Sequence, residues 1–326
     1  MPCPSPLRFA LCAAACLLLA LPGLAPAQGY PAKPVRLIVP FPAGGPSDAL
    51  GRILGPRLAE QLGQQIVIDN RVGANGNVGA EVAAKSPPDG YTLLMVVSSF
   101  ATNPALYPKL AFDPLRDFVP VSLLTAAPLV LVTHPTLPVK TVKDLIALAR
   151  ARPDELNYGA AGNGAGGHLA MELFKGMTGV RMTTIVYKGG AQAITDVIAG
   201  QIHLTVNNPL IVLPHVKTGR LRAIAVTSAE RLAATPELPT IAEAGVTGYE
   251  ASLWYGIVLP AGAPAALVSR LNAELVKVLQ SPDTRERLAP EGVRIIGSTP
   301  EQFGEHLRRE SVKWTKVIRD ARIRLE

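Results

Sequence analysis

The sequence predicts an α/β protein whose parallel sheets are flanked by helices, and three observations carry that expectation. From residue 35 onward, short apolar runs alternate with amphipathic stretches, the pattern of strands joined by crossover helices. The first unit, 35–50, reads as strand, glycine turn and helix. No internal repeat, low-complexity tract or long linker breaks the alternation, so two domains, if present, are closely joined.

The front of the chain stands apart. Arg8 precedes the apolar run 9–21, and Ala25-Pro-Ala27 follows as a small-residue cleavage pattern. Residues 1–27 therefore read as a signal peptide that is removed, with export as the consequence. The run is shorter than the roughly 18 residues of a spanning helix. Cys3, Cys12 and Cys16 all lie within residues 1–27, so the mature chain has no thiol for catalysis, metal binding or a disulfide. The remainder suits one large or two medium domains.

The formal net charge is +7, and its basic residues are scattered except for Arg308, Arg309, Lys313, Lys316, Arg319, Arg322 and Arg324. Glu305, Glu310 and Asp320 interrupt that set, which reads as a solvated helix face. Nucleic-acid binding would require clustered charge with interleaved aromatics and is not expected. A modest positive field favours small acidic molecules.

Element by element, Val35, Leu37 to Val39 and Phe41 suit a buried strand, and Gly44-Gly45 permits a tight turn. Ser47 or Asp48 can cap the helix 47–62, whose apolar face is Leu50, Ile53, Leu54, Leu58 and Leu62. Pro56 removes one hydrogen bond from this helix and should bend it. A second strand spans 65–70, a glycine-rich turn 71–79 leads into the helix 77–85, and a third strand, 91–97, ends at Ser98-Ser99. The middle third continues with strands at 129–133, 156–160, 183–187 and 202–206, and helices at 141–151, 168–177 and 191–199. Thr141 with Asp144 forms a near capping box. Two helices close the chain: 264–279, and one opened by Thr299-Pro-Glu301 that buries Phe303, Leu307, Trp314 and Ile318.

Candidate chemistry gathers where strands end. The turn Ala43 to Asp48 exposes unpaired N–H groups at the positive end of a helix, an arrangement that holds a carboxylate or phosphate. Asp48 is either a first-turn acid or an orienting group for water or a ligand ammonium. Gly162-Asn-Gly-Ala-Gly-Gly167 matches G-x-G-x-x-G between a strand and a helix, yet the next strand ends Val186-Tyr-Lys188, without the acid that would hold a ribose. A second anion-holding helix N-terminus is the preferred reading over a nucleotide site, with a purely geometric turn as the plain alternative. His168 follows that turn and either packs or touches ligand. Ser98, Ser99 and Asn103 after the third strand, and Asn207-Asn208 after the strand ending at 206, occupy the carboxyl edge where ligands of α/β sheets lie. The five histidines have no metal-ligand partner at helical spacing, and no nucleophile elbow, P-loop or H-E-x-x-H appears. No cofactor and no metal are expected.

These residues resemble the Bug family, receptors of tripartite tricarboxylate transporters in bacterial periplasms. The likeness includes Pro40-Phe-Pro-Ala-Gly-Gly45 with Asp48, Asn70-Arg71, Pro88-Asp-Gly-Tyr-Thr-Leu-Leu94, Asn103-Pro-Ala-Leu-Tyr107, His168-Leu-Ala with Glu172-Leu-Phe174, Tyr187-Lys-Gly189 and Leu238-Pro-Thr240. The resemblance implies a type II periplasmic binding protein: two α/β lobes joined by two crossings, with a carboxylate ligand in the cleft between them. Lobe 1 would be 28–127 plus 250–326 and lobe 2 128–249. It implies a non-enzymatic receptor that delivers its ligand to a membrane permease, expected to be a monomer; a sensory subunit partnered with a receptor kinase is a further alternative. The resemblance also implies that the turn Ala43 to Asp48 holds a ligand carboxylate and that the helix after Gly162 to Gly167 supplies the opposite wall; with the strand-end residues, the expected ligand contacts are Phe41, Ala43, Gly44, Gly45, Ser47, Asp48, Ser98, Ser99, Asn103, Ala161, Gly162, Asn163, Gly164, His168, Asn207 and Asn208. Two departures stand out: His203 replaces the family's usual Asp, and Asn163-Gly-Ala165 replaces a Gly-Ser pairing. A secreted hydrolase or lyase, using His168 near Asp48, is the rival from another class.

Overall fold

The computed structural model describes residues 29–289 and 293–324; the expected signal peptide, 1–27, lies outside the described residues. In chain order the elements are β1 (Val35–Val39), α1 (Pro46–Leu62), β2 (Ile66–Asn70), α2 (Asn77–Ala84), β3 (Thr92–Val97), α3 (Ser99–Leu106), β4 (Phe118–Pro128) and β5 (Val130–Thr133). They continue as α4 (Val142–Ala151), β6 (Asn157–Ala160), α5 (Gly166–Thr178), β7 (Thr183–Val186), α6 (Gly190–Ile198), β8 (Leu204–Asn207), α7 (Pro209–Lys217) and β9 (Arg222–Val226). The last part holds β10 (Ser252–Pro260), α8 (Ala265–Gln280), α9 (Pro282–Leu288), β11 (Arg294–Ile295) and α10 (Pro300–Asp320).

Two sheets form two lobes. One has the strand order β11-β4-β10-β3-β1-β2, the other β7-β6-β8-β5-β9. The trio β2-β1-β3 is parallel, as is β7-β6-β8. The sheets are nevertheless mixed, which corrects the expectation of parallel sheets: β10 is antiparallel to β3 and β4, and β5 is antiparallel to β8 and β9. The cause is geometric. The parallel trios point their carboxyl ends at the lobe junction, and a strand arriving from the other lobe starts at that junction and must run away from it. Each sheet thus contains the same five-strand order, a parallel 2-1-3 trio, then an incoming strand, then an outgoing one, and β11 adds a sixth strand at the edge of the first. It is a repeat of topology, with no counterpart in the sequence.

The crossings β4 to β5 and β9 to β10 are stitched together by Thr227. Its N–H donates to the Leu129 carbonyl at 2.9 Å, its hydroxyl accepts the Leu129 N–H at 2.9 Å, and its carbonyl accepts the Ala251 N–H at 2.8 Å. The first lobe's core contains Ile38, Leu94, Phe100, Trp254, Phe303 and Leu307. The second contains Leu131, Leu145, Tyr158, Phe174, Leu204 and Tyr249.

Helix α10 belongs to both cores. Its capping box is complete, with Thr299 and Gln302 each accepting the other's backbone N–H, and Phe303 and Leu307 bury in the first core while Trp314, Val317 and Ile318 bury in the second. Each such side chain contributes about 1.5–3 kcal/mol of burial, so both lobes hold the helix. Glu310 does not lie on a solvated face, as its basic neighbours suggested, but is buried between the two cores. Its carboxylate accepts both indole N–H groups, from Trp314 at 2.8 Å and Trp254 at 3.2 Å, and pairs with Lys313. Among the described residues no helix is long and apolar enough to cross a membrane.

Candidate functional site

Four strands of the parallel trios, β1, β3, β6 and β8, end at the junction, and each is followed by a helix N-terminus, of α1, α3, α5 and α7 respectively. Sheets of this kind offer ligands that edge, with first-turn N–H groups unpaired unless a cap takes them, as Asn208 does at α7.

At the first, Gly45 caps α1 and Pro46 occupies its first position, so the N–H groups of Ser47 and Asp48 have no acceptor within the helix. Asp48 folds back over the turn instead of projecting outward. Its carboxylate accepts the Gly44 N–H at 2.9 Å, Arg52 Nε at 2.8 Å and Asn70 Nδ2 at 3.1 Å. Asn70 also donates to the Phe41 carbonyl at 3.0 Å. Gly44 has φ +80°, a left-handed conformation in which a side chain is strained. Its N–H is committed to Asp48, leaving Ser47 and Asp48 as the outward donors of this turn.

The Arg52 hydrogen bond, followed by that from Gly44, holds the Asp48 carboxyl down at about 2, against the opposing effect of burial. A carboxyl depressed in the folded state stabilises it above the unfolded pKa, near 4, and loses that contribution as pH falls toward 2. Asp48→Asn is expected to remove about 1–2 kcal/mol near pH 7, discounted for the exposure of Arg52. It should also flatten the loss of stability between pH 4 and 2, read by urea unfolding across that range.

After β3, Ser99 Oγ donates to the Asn75 carbonyl at 3.1 Å. Asn103 is buried, donates to Asn77 Oδ1 at 2.6 Å and to the Asn75 carbonyl at 3.1 Å, and accepts from Asn75 Nδ2 at 3.0 Å. It clamps the glycine-rich loop. Phe41 joins this group around a cavity of about 10 Å³, and the Asn77 Nδ2 atom is buried there without a partner.

After β6, His168 turns inward, toward its own lobe. Its Nδ1 accepts the Gly164 N–H at 3.0 Å, and Nε2 stands 3.8 Å from Glu172. Burial pushes its pKa down, with Glu172 opposing, so the ring is a neutral brace for the turn. Glu172 accepts from Tyr158 at 2.6 Å and pairs with Lys175 at 2.7 Å. Ala161 and Gly162 complete the turn, and Asn163 donates to the Arg324 carbonyl at 2.6 Å, tying this loop to the end of the chain. The motif's last glycine, Gly167, lets α5 approach β8: a Cβ there would lie 2.4 Å from the Val206 carbonyl oxygen. The motif serves close helix–strand packing without any nucleotide-holding acid. His203, the other departure, accepts the Asn157 N–H at 3.0 Å and stays within its sheet.

After β8, Asn207 is buried, donates to the Gly190 carbonyl at 3.3 Å and accepts the Asn208 N–H at 3.1 Å. Asn208 caps α7 through the Leu210 N–H at 2.8 Å.

The lobes meet at these turns. Ser98 and Ser99 line one cavity of about 30 Å³ with Gly164, Gly166, Leu253 and Trp314. Asn208 shares another, about 20 Å³, with Pro46, Thr125 and Tyr255. Asn70, Asn75 and Asn77 were missed as members of the site; the only signal was the run of asparagines around the turn 71–79. The His168–Asp48 pairing that a hydrolase would use is not formed, since each is bonded to its own turn. Among the described residues no cluster could hold a metal ion.

The chain matches the model of the tripartite tricarboxylate transporter family receptor over residues 50–323. It is 38% identical over 302 residues to BugT of Bordetella pertussis, covering 92% of this chain and 93% of that one. Among solved structures, Rpa4515 of R. palustris, determined with adipate, is 41% identical with a TM-score of 0.75, covering 91% of this chain and 100% of that one. MatC of Rhodopseudomonas palustris, with bound malate, is 30% identical with a TM-score of 0.71, covering 89% and 100%.

Proposed function

This chain belongs to the tripartite tricarboxylate transporter receptor family and is a solute-binding receptor rather than an enzyme, and from that premise we propose that it captures a small dicarboxylate between its lobes. The observation that supports this reading is that the helix starts of α1, α3 and α5, whose first-turn N–H groups are not all taken, line the cavities at the lobe junction together with the capped start of α7. One ligand carboxylate takes the Ser47 and Asp48 N–H groups of α1, and the opposite lobe meets the other end through the turn before α5 and the Asn208 region. Lobe 1 is 28–127 with 250–326, and lobe 2 is 128–249. The adipate and malate found in two similar proteins favour a ligand with two carboxylates.

Each helix terminus offers roughly 0.3–1 kcal/mol of charge complementarity, and charged hydrogen bonds about 1.5–3 kcal/mol each. After ordering costs, micromolar binding near −8 kcal/mol is within reach. The receptor is exported to the periplasm by the segment 1–27, acts as a monomer, and hands its ligand to the permease of a tripartite transporter.

Thermal unfolding of the mature protein against adipate, malate, citrate, benzoate and glutamate tests the ligand class. A ligand at 100 times its dissociation constant adds about 2.7 kcal/mol, so a dicarboxylate should raise the melting temperature by several degrees. No shift with any of these acids would overturn the reading. Loss of uptake of the stabilising acid, on deletion of the receptor gene in the producing bacterium, tests the transporter partnership.

A further inference from the structure

We propose that a groove beside the crossing strands, apart from the turns that gather at the junction, is a second binding site, for a zwitterion with an apolar body. The groove encloses about 550 Å³, within the range of small-molecule sites. The cavity joining Ser98 to Gly164 holds about 30 Å³. The groove lies across the crossing strands from the ends of β3 and β8, because β11 is the outer neighbour of β4 and β9 is the edge strand beyond β5. Ala126 of β4, Arg294 of β11 and Arg285 and Leu288 of α9 form one wall; the segment 228–234 that follows β9 forms the other.

The charges around it are mostly spent within the chain. Arg294 pairs with Glu230 at 2.7 Å, and Arg231 with Glu243 at 2.8 Å. Two are left over. Arg285 donates to the Gln280 amide, and neither Arg285 nor the Glu250 side chain has an ion-pair partner among the described residues. Arg285 and Glu250 are opposite in sign, and the floor they share includes the apolar Ala126, Leu232 and Leu288. A carboxylate on Arg285 and an ammonium on Glu250 would each gain a charge-assisted hydrogen bond, while methylenes displace water from the apolar floor. A simple anion or cation satisfies only one of the two.

Calorimetric titration of the mature protein with ε-aminocaproate, ω-aminooctanoate and ω-aminododecanoate tests the site, with octanoate and octylamine as single-charge controls. One of the amino acids should bind about tenfold or more tighter than both controls, and its length reports the spacing of the two charges. Arg285→Ala and Glu250→Gln, both at exposed positions, should each weaken it by about tenfold, equivalent to 1.4 kcal/mol. Ala234→Trp, exposed on the groove wall, should block it, with circular dichroism confirming that each variant is folded. Absence of binding by all three amino acids, equal binding by octanoate, or affinity indifferent to the charge substitutions would overturn the proposal.

Discussion

Glu310→Leu is expected to lower the stability of this protein by about 3–5 kcal/mol. The carboxylate is buried and its Oε2 accepts the indole N–H groups of Trp254 and Trp314, which are the protein's two tryptophans. Burial alone would raise its pKa, but the charge of Lys313 and the hydrogen bonds outweigh burial and the net direction is downward, so the group is ionised at neutral pH. Leucine fills much of the volume yet leaves two buried donors and an ammonium group without their acceptor, and each orphaned donor costs about 1–3 kcal/mol. Glu310→Gln keeps an acceptor oxygen and should lose about half as much. Since Trp254 lies on the crossing strand β10 and Trp314 on the half of α10 that enters the second core, the leucine variant should also alter tryptophan emission before the main transition. Urea unfolding followed by fluorescence reads both; equal losses in the two variants would show that acceptor geometry is irrelevant and sink the account.

Gly167→Ala is the second large effect, and it bears on the site. The added Cβ would stand 2.4 Å from the Val206 carbonyl oxygen, a backbone atom inside β8 that cannot turn away. Helix α5 must retreat, and the turn before it moves too, because His168 in the first turn of α5 holds the Gly164 N–H. Overpacking of this kind costs about 1–3 kcal/mol, and carboxylate affinity should fall by about tenfold or more, given the effect of small displacements on charged hydrogen bonds. Gly176→Ala, in the same helix, meets nothing within 4 Å and should instead stabilise by roughly 0.5–1 kcal/mol through helix propensity. Opposite signs from one substitution type in one helix separate close packing from propensity. Similar losses at both positions, or unchanged affinity in Gly167→Ala for whichever acid stabilises the unaltered protein, would contradict the assignment.

Much of the fold was legible because local chemistry fixed it. Thr141 with Asp144 forms the capping box its spacing suggested, and the third strand and the helix after the glycine-rich turn lie within a residue or two of their expected bounds. The long strands β4 and β10 went unread. Each carries side chains to two environments and contains register shifts where they pair, so neither shows a clean alternation. The site was legible only in part. Strand ends and glycine turns announce where N–H groups gather, but Asp48 and His168 bond to their own turns and Asn103 to the glycine-rich segment 26–28 residues before it, and nothing in a side chain's identity says which way it faces.

The sequence by itself determined the alternation of strand and helix, the turns that leave helix N-termini unpaired, the lack of any thiol outside 1–27, and the family. Those properties depend on neighbours within a few residues, or on motifs read in order. Only the tertiary structure decided that the two sheets repeat one topology, that α10 is shared by both cores, and that Glu310 is buried beneath two indoles instead of facing solvent. It also decided which polar groups brace the turns. These depend on contacts between residues far apart in the chain, such as the 56 positions separating Trp254 from Glu310, where burial and hydrogen-bond partners are set by packing and leave no local periodicity to read.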